Sequence, residues 1–308
     1  ARYRIGTILD YSVEGKENES DFDNCTHETI GTIDKAMGNR NIPFCVFKIT
    51  GLARFSLLEK VSAGLPLTET EQQEFARVHD RVNAICKKAH DNRVPVFIDA
   101  EESWIQPAMD TLVNEMMSLY NKQKAIVYNT FQLYLKNSLA HLKKTFEEGK
   151  RGGFLVGAKL VRGAYMEKER SRAFEMNYRS PIQDTKQDTD NDYNAALEFC
   201  VENIDRLAIC AGTHNEHSSM YLTDLMKKKN IIPSHPHVCF SQLLGMSDHI
   251  SFNLANAGYN VSKYVPYGPV KEVLPYLIRR ARENTSVKGQ TGRELSLIIK
   301  EKQRRKSK

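Results

Sequence analysis

The regular alternation of short apolar segments with longer segments of helical periodicity most constrains the fold of this chain. Eight apolar runs rich in β-branched residues span 4–11, 43–50, 94–100, 125–132, 154–161, 206–214, 237–244 and 260–268. Segments with helical spacing fill the gaps at 28–39, 69–91, 104–121, 133–149, 190–205, 216–229 and 270–284, and a polar loop is expected at 178–190. Thr68, Asp190 and Asn215 are capping-type residues at three of the predicted helix starts. Strands that alternate with helices predict a parallel sheet, because the chain must cross back before each new strand.

Eight strand and helix units are the number that closes a β/α barrel. A chain of 308 residues is long enough, since such barrels need about 250 residues. The main alternative is an open, doubly wound sheet, which normally carries a GxGxxG phosphate turn after its first strand. No such turn follows residue 11. The sequence therefore predicts the α/β class and a (βα)8 TIM-like barrel, organised as a single domain over 1–308 with a basic tail at 301–308.

Composition restricts the functional classes. The hydrophobic fraction of 41% and the charged fraction of 27% are those of a soluble globular protein, and no apolar run approaches the ~20 residues of a membrane-spanning helix. The six cysteines lack CxxC spacing, so we expect free, reduced thiols. Much of the net charge of +6 lies near the end of the chain, which predicts a solvated helix end or a peripheral contact with an anionic membrane. Aromatic and basic residues are not interleaved, so we expect no nucleic-acid partner.

Polar side chains gather at the ends of the predicted strands. They are Lys48, Asp99, Gln132, Lys159, Arg162, Thr213, His214 and Tyr264. In a β/α barrel the carboxyl ends of all strands meet at one rim, where the site of such proteins lies. The mixture of charges and hydrogen-bonding groups favours a polar heteroaromatic cofactor and a small zwitterion over a bare phosphate, which would favour glycines and helix amino termini.

The last predicted helix of the barrel carries a polar stripe. Tyr276, Arg279, Arg280 and Glu283 are spaced i, i+3, i+4 and i+7 and so share one helix face. Two adjacent arginines facing a barrel would need an anion, and together with Lys48 they could clamp a carboxylate through bidentate hydrogen bonds. The alternative interpretation is a solvated basic helix end.

Other chemistries find less support in the sequence. His214 and His217, and His235 and His237, lack cysteine or acidic neighbours at zinc-ligand spacing, so we expect no metal. No GxSxG elbow of a serine hydrolase occurs. Two alternatives stay open: a Schiff-base β/α-barrel lyase that uses Lys48 or Lys159, and a non-catalytic membrane or nucleic-acid binder that acts through the basic tail.

Seven segments of the chain resemble the proline dehydrogenase family, and their sequences are most similar to those of its eukaryotic-type branch. They are FIDAEES, NTFQLYLK, GAKLVRGAYMEKERSRA, GTHNE, QLLGM, KYVPYG and YLIRRARENTSV. The resemblance implies a flavoenzyme barrel that oxidises L-proline to Δ1-pyrroline-5-carboxylate, the first step of proline catabolism. A hydride passes to FAD and the electrons continue to a membrane quinone. It also implies a place on the matrix side of the mitochondrial inner membrane in a eukaryote, or in the bacterial cytoplasm at the inner membrane.

The same resemblance implies roles for individual residues. Arg279, Arg280 and Lys48 would hold the proline carboxylate, Glu283 would orient the arginines, and Asp99, Tyr165, Leu243, Tyr264 and Tyr276 would line the substrate pocket. Asp99, Tyr264, Arg279 and Arg280 would form the catalytic set. Ala100, Gln132, Lys159, Arg162, Gly163, Ala164, Thr213 and His214 would contact FAD, and Glu14 would act as a gate that pairs with Arg279.

Two positions depart from the common family pattern, and a third bears on specificity. The family often has arginine where Lys159 stands, although its eukaryotic-type branch carries lysine, and bacterial relatives have tryptophan where Met166 stands. A cation is retained at the first position, whereas aromatic packing is lost at the second. Related hydroxyproline dehydrogenases tend to have a smaller residue in place of Tyr264, so we expect proline rather than hydroxyproline as the substrate, with hydroxyproline as the alternative.

Overall fold

The computed structural model describes residues 3–11, 16–271, 273–274, 277–278 and 290–306. Five of the predicted site residues lie outside these ranges. They are Glu14, Tyr276, Arg279, Arg280 and Glu283.

Eight parallel strands close into a barrel in sequence order. The strands are β1 Gly6–Tyr11, β2 Phe44–Lys48, β3 Val96–Asp99, β4 Val127–Gln132, β5 Val156–Val161, β6 Leu207–Gly212, β7 Val238–Leu243 and β8 Val261–Tyr267. Each lies within one of the eight apolar runs, which confirms the predicted (βα)8 fold. Such runs are predictable because a strand covered by helices on one face and by the barrel interior on the other is apolar almost throughout.

Helices follow the strands around the barrel. The helices are α1 Glu19–Ala36, α2 Phe55–Ser62, α3 Glu69–Asp91, α4 Gln106–Tyr120, α5 Ser138–Gly152, α6 Met166–Glu175, α7 Lys186–Glu202, α8 Glu216–Lys228, α9 Asp248–Asn256 and α10 Gln290–Lys306. Residues 270–271, 273–274 and 277–278, within the predicted helix 270–284, are helical. Among the described residues, no helix has both the length and the apolar character needed to cross a bilayer.

Several predicted helix boundaries are wrong. Helix α1 begins at Glu19 rather than at residue 28, because Asn18 caps it by accepting a hydrogen bond from the Asp21 amide. Helix α7 begins after Thr185, which forms a capping box with Asp188, so Asp190 lies inside the helix instead of at its start. The predicted polar loop therefore ends before residue 186. Helices α2, α6 and α9 were not predicted.

The alternation of side chains along the strands decides which of them face the barrel interior. Phe44 and Val46 of β2 and Phe97 of β3 belong to the inner hydrophobic cluster, whereas Val96 and Ile98 pack in the outer layer between strands and helices. Because side chains alternate with a period of two residues, the next inward positions after these are Lys48 and Asp99. The two-residue alternation therefore directs the polar side chains predicted from sequence into the lumen.

The backbone separates into two compact units, Ala1–Pro266 and Tyr267–Lys308. The first contains β1 to β7 and nearly all of β8, and the second contains α10. Residues 301–306 of the predicted basic tail are helical, and Arg304 and Arg305 form ion pairs with Glu301. The single domain over 1–308 stays a prediction.

The capping box of α3 provides a test of the fold. Thr68 accepts a hydrogen bond from the Glu71 amide, and the Glu71 carboxylate accepts one from the Thr68 amide. We expect Thr68→Ala to lower the free energy of unfolding by about 1 kcal/mol, because a helix amide loses its partner. Urea denaturation measures the change. The exposed neighbour Thr70 is the control, since Thr70→Ala removes no cap and should change stability by less than about 0.5 kcal/mol; an equal loss in both variants would contradict the capping argument.

Candidate active site

A buried hydrogen-bonded network joins residues of three strands across the lumen. The Lys159 Nζ atom at β5 lies 2.5 Å from Asp99 Oδ1 at β3. The Tyr264 hydroxyl at β8 donates to Asp99 Oδ2 at 2.7 Å, and it lies 3.5 Å from Lys159 Nζ. Both oxygens of one carboxylate are therefore engaged, and the lysine ammonium also lies 4.6 Å from the centre of the Tyr264 ring. Three residues predicted from separate strands form one site.

Burial and charge act in opposite directions on Asp99. Burial alone would raise the pKa of this carboxyl group. The positive charges of Lys159 and Lys48 and the hydrogen bonds from Lys159 and Tyr264 outweigh burial, so the pKa of Asp99 is lowered. The lowered pKa favours an anionic Asp99, which orients Lys159 and Tyr264 through its two oxygens.

Lys48 lies beside this network in the same layer of the lumen. Its Nζ atom is 4.0 Å from Asp10 Oδ2, and both side chains are buried. Asp10 stands at an inward position of β1, and sequence reasoning missed it because its only signal was an acidic residue near the end of the first apolar run. The described part of the lumen thus holds two cations, Lys48 and Lys159, and two carboxylates, Asp10 and Asp99.

Arg162, just after β5, is fixed by three hydrogen bonds in the described structure. Its Nε donates to Asp190 at 2.6 Å, its Nη1 to Thr213 Oγ1 at 2.7 Å and its Nη2 to Ser218 Oγ at 2.9 Å. The guanidinium also lies 4.4 Å from the centre of the Tyr193 ring. Asp190 was predicted as a helix cap, but as a member of α7 it holds this arginine in place. A guanidinium with so many fixed contacts is preorganised to present its charge in one direction.

The turn after Arg162 is open to solvent. Gly163 has φ of +138°, and a Cβ atom at this position would lie only 2.3 Å from the Tyr134 ring. Only glycine fits both the backbone angle and this close approach. Gly163 and Ala164 are exposed and Tyr165 is half-buried, so this turn presents main-chain groups at the rim.

The remaining predicted site residues that the structure describes lie at the same rim. Gln132 at the end of β4 donates from Nε2 to the Glu101 carbonyl at 2.7 Å. The Nδ1 atom of His214 lies 3.0 Å from Ser247 Oγ. Ala100 directly follows β3 and is buried, and Leu243 stands opposite Tyr264 in the pairing of β7 with β8.

Glu101 is a buried carboxyl group next to this site, and no role was predicted for it from the sequence. Its Oε2 accepts from Thr50 Oγ1 at 2.6 Å and its Oε1 from the Thr50 amide at 3.2 Å. Burial is the largest influence and raises its pKa to about 8, although the Thr50 hydrogen bonds and the Lys48 charge oppose the rise. Glu101 therefore titrates near neutral pH.

Glu101 should make stability depend on pH. With a folded pKa of about 8 and an ordinary value of 4.5, the folded state binds more protons than the unfolded state between these values, so stability falls as pH rises toward 8. We expect Glu101→Gln to be the more stable protein at pH 8 and to show a flatter profile down to about pH 5. Urea denaturation at several pH values measures this. Glu175→Gln at the exposed end of α6 is the control, and a profile of Glu101→Gln that matches the wild type would contradict the argument.

The donors at this rim fit a flavin in chemical type. Lys159, Arg162 and His214 supply nitrogen atoms, Gln132 an amide and Thr213 a hydroxyl, from the ends of three adjacent strands. A flavin ring has carbonyl and nitrogen acceptors along its pyrimidine edge, and reduction adds negative charge there, so a cationic rim suits it. Within the described ranges, no cluster of three His, Cys, Asp or Glu side chains could hold a metal ion.

A closed β/α barrel whose charged and hydrogen-bonding groups meet at the carboxyl ends of its strands has the organisation of a barrel enzyme. A sequence model of the proline dehydrogenase family matches residues 1–293. The chain belongs to the proline dehydrogenase family, which confirms the resemblance inferred from the sequence.

Individual relatives agree with this assignment. The chain is 42% identical over 245 residues to "Proline dehydrogenase 1, mitochondrial" of Drosophila melanogaster, a match that covers 76% of this chain and 36% of that protein. It is 36% identical over 305 residues to "Carbapenem antibiotics biosynthesis protein CarD" of Pectobacterium carotovorum subsp. carotovorum, covering 99% of this chain and 79% of that protein. This chain therefore spans little more than a third of the length of the fly protein.

A solved structure supports the fold. The crystal structure of proline utilization A (PutA) from Bdellovibrio bacteriovorus inactivated by N-propargylglycine superposes with a TM-score of 0.82 at 20% sequence identity. The match covers 93% of this chain and 31% of that chain.

Proposed function

We propose that this chain oxidises L-proline to Δ1-pyrroline-5-carboxylate, the first step of proline catabolism, with FAD as the cofactor and a membrane quinone as the final electron acceptor. The buried network of Asp99, Lys159 and Tyr264 in a member of the proline dehydrogenase family carries this proposal. FAD would supply the hydride-accepting chemistry, which no protein side chain provides.

The proposed cofactor residues would contact different parts of FAD. Arg162, held by Asp190 and Thr213, offers a fixed positive charge to an anionic part of the cofactor. Lys159, held by Asp99, places a second cation where negative charge develops on reduction. The other proposed FAD ligands in this region are Gln132, Thr213, His214 and the main chain of Ala100, Gly163 and Ala164.

The substrate residues would fix a small zwitterion. We propose that Arg279, Arg280 and Lys48 bind the proline carboxylate, because adjacent guanidiniums with a lysine form a charge-assisted clamp. Tyr264 and Leu243, opposite each other on β7 and β8, would wall the ring together with Tyr165 and Tyr276. Glu283 would orient the arginines and Glu14 would close the site by pairing with Arg279. By holding the ring in one orientation, these residues would lower the barrier to hydride transfer.

Two alternatives are distinguishable from this proposal. We propose that Tyr264, whose hydroxyl is bonded to Asp99, leaves too little room for the ring hydroxyl of hydroxyproline, because related hydroxyproline dehydrogenases tend to have a smaller residue there. A Schiff-base lyase would need a lysine amine that is open to a carbonyl carbon, whereas both candidates are buried and lie next to carboxylates, Lys159 next to Asp99 and Lys48 next to Asp10.

The absorbance spectrum of the purified protein tests the proposal. We expect a flavin spectrum that bleaches on anaerobic addition of L-proline and bleaches much more slowly with hydroxyproline. Arg279→Met and Arg280→Met should raise the KM for proline by orders of magnitude with FAD still bound. A colourless protein that takes up no added FAD, or trapping of a carbonyl substrate by borohydride on a lysine, would refute the proposal.

The acceptor and location follow from the same proposal. We propose peripheral contact with a membrane that holds the quinone, on the matrix side of the inner membrane if the protein is mitochondrial, as the name of the fly relative is, and on the cytoplasmic side in a bacterium. Reduction of a soluble quinone analogue by proline-reduced protein measures the transfer directly.

A further inference from the structure

A cavity opens at the end of the barrel opposite the Asp99 network, where the strands begin. Its volume is about 510 Å³, within the ~300–1,000 Å³ range of small-molecule sites. The loops that lead into β1, β2, β3, β4, β7 and β8 line it. In β/α barrels the active site lies at the carboxyl-terminal ends of the strands, so the proposed reaction does not explain a cavity at their amino-terminal ends.

Four successive loops each contribute one cation to the cavity. Arg4 precedes β1, Arg40 precedes β2, Arg93 precedes β3 and Lys124 precedes β4. The cavity lining contains no aspartate or glutamate. Within residues 3–11 and 16–271, none of these four side chains forms an ion pair with a carboxylate. The positive charge at this mouth is therefore not neutralised by the described protein.

Two of these arginines occupy unusual backbone conformations. Arg4 has φ of +52° and Arg93 has φ of +56°, in the left-handed region where glycine or asparagine would cost less. Arginine brings no local advantage to such a turn. Its occurrence at two of the four positions suits a use for the guanidinium itself.

The interior of the cavity is largely apolar and is closed off from the other site. Phe44 and Tyr128 line its inner end, and Phe44 stacks on Phe97 with ring centres 4.5 Å apart. Phe97 in turn lies beneath Lys159, whose Nζ is 5.5 Å from the ring centre. This packed aromatic layer fills the lumen between the cavity and the Asp99 network, so a ligand could occupy one without touching the other.

We propose that this cavity is a second binding site for an anion that carries phosphate groups, with an apolar portion packed against Phe44 and Tyr128. Like charges held around a concave, low-dielectric surface repel each other and concentrate the field at its mouth, and a bound polyanion relieves that repulsion. Arginine matches phosphate oxygens through paired hydrogen bonds. A free phosphorylated metabolite and the headgroup of an anionic lipid share this chemistry.

Calorimetric titration with ADP and with inorganic pyrophosphate tests the site, and flotation with phosphatidylcholine vesicles with and without phosphatidylglycerol tests the lipid source. The variant Arg40→Gln with Lys124→Gln removes two cavity charges from exposed positions. Arg151→Gln with Lys228→Gln is the matched control, because it removes one arginine and one lysine that are exposed and do not line the cavity.

We expect the cavity variant to bind the effective probe at least tenfold more weakly than the wild type and the control variant, at constant salt. Binding of ADP or pyrophosphate would identify a free metabolite, and binding only to the anionic vesicles would identify a lipid headgroup. Absence of binding to every probe, or equal weakening in both double variants, would overturn the proposal. FAD content and proline oxidation should be unchanged in the cavity variant, so failure of this proposal and failure of the proposed oxidation are separately visible.

Discussion

Asp99→Asn is expected to lower kcat/KM for proline oxidation by at least ~10²-fold and to lower the free energy of unfolding by about 3–5 kcal/mol. The substitution keeps the size of the side chain but removes the charge that holds Lys159 at 2.5 Å and accepts from Tyr264 at 2.7 Å. A buried ammonium group without its carboxylate is strongly destabilised, and two groups at the rim lose their orientation together. Steady-state kinetics and urea denaturation measure the two effects.

A double-mutant cycle separates the structural part of this loss from the catalytic part. Lys159→Met in the Asp99→Asn background removes both charges, so stability should recover toward the wild type whereas activity should not. Asp184→Asn is the control, because it breaks an exposed ion pair with Lys136 and should leave both measurements nearly unchanged. If Asp99→Asn retained full activity, or if the double variant were as unstable as the sum of the single ones, the network would have no shared function.

The strands could be predicted because buried strands require apolar side chains, and each strand therefore appears in the sequence as a short apolar run. Strand β3, for example, reads Val96, Phe97, Ile98 and Asp99, with three fully buried apolar residues followed by one polar residue at the rim. Once a strand is located, its side chains in the lumen can also be predicted, since every second residue faces the lumen. Lys48, Asp99, Lys159 and Tyr264 could be placed in one layer for this reason.

The missed helical segments carry few buried apolar residues. The first half of α1 buries only two of them, Phe22 and Cys25, together with Thr26, whose hydroxyl donates a hydrogen bond to the Phe22 carbonyl oxygen. Two apolar residues among polar neighbours are too few to reveal a helical period. Helix α6 similarly buries Glu169, whose carboxylate accepts from both the amide and the hydroxyl of Ser103.

The partners of the site residues could not be predicted, because they come from distant parts of the sequence. Asp190 is 28 residues from Arg162 and Thr213 is 51 residues from it. Their contact depends on how α7 and β6 pack beside β5, which no local pattern encodes. The same holds for Glu101, whose raised pKa results from tertiary burial.

The hydrogen bonds around Arg162 predict a large effect of its substitution on FAD binding. We expect Arg162→Lys to weaken FAD binding by about 100-fold, although it preserves the positive charge. The guanidinium donates in three directions at once, to Asp190, Thr213 and Ser218. A lysine ammonium is a point charge that cannot reproduce this planar set of contacts, so it would not be held toward the cofactor. Fluorescence titration of the FAD-free protein with FAD measures the dissociation constant.

A second arginine controls for the general effect of this exchange. Arg172 pairs with Glu59 and lies 4.6 Å from the centre of the Trp104 ring, on α6 and away from the predicted cofactor residues. Arg172→Lys should therefore change stability but leave the FAD dissociation constant within about twofold of the wild type, since only Arg162 is proposed to present its charge to the cofactor. If the two variants bound FAD equally well, the fixed guanidinium after β5 would have to be assigned to the scaffold of the barrel instead of to its cofactor.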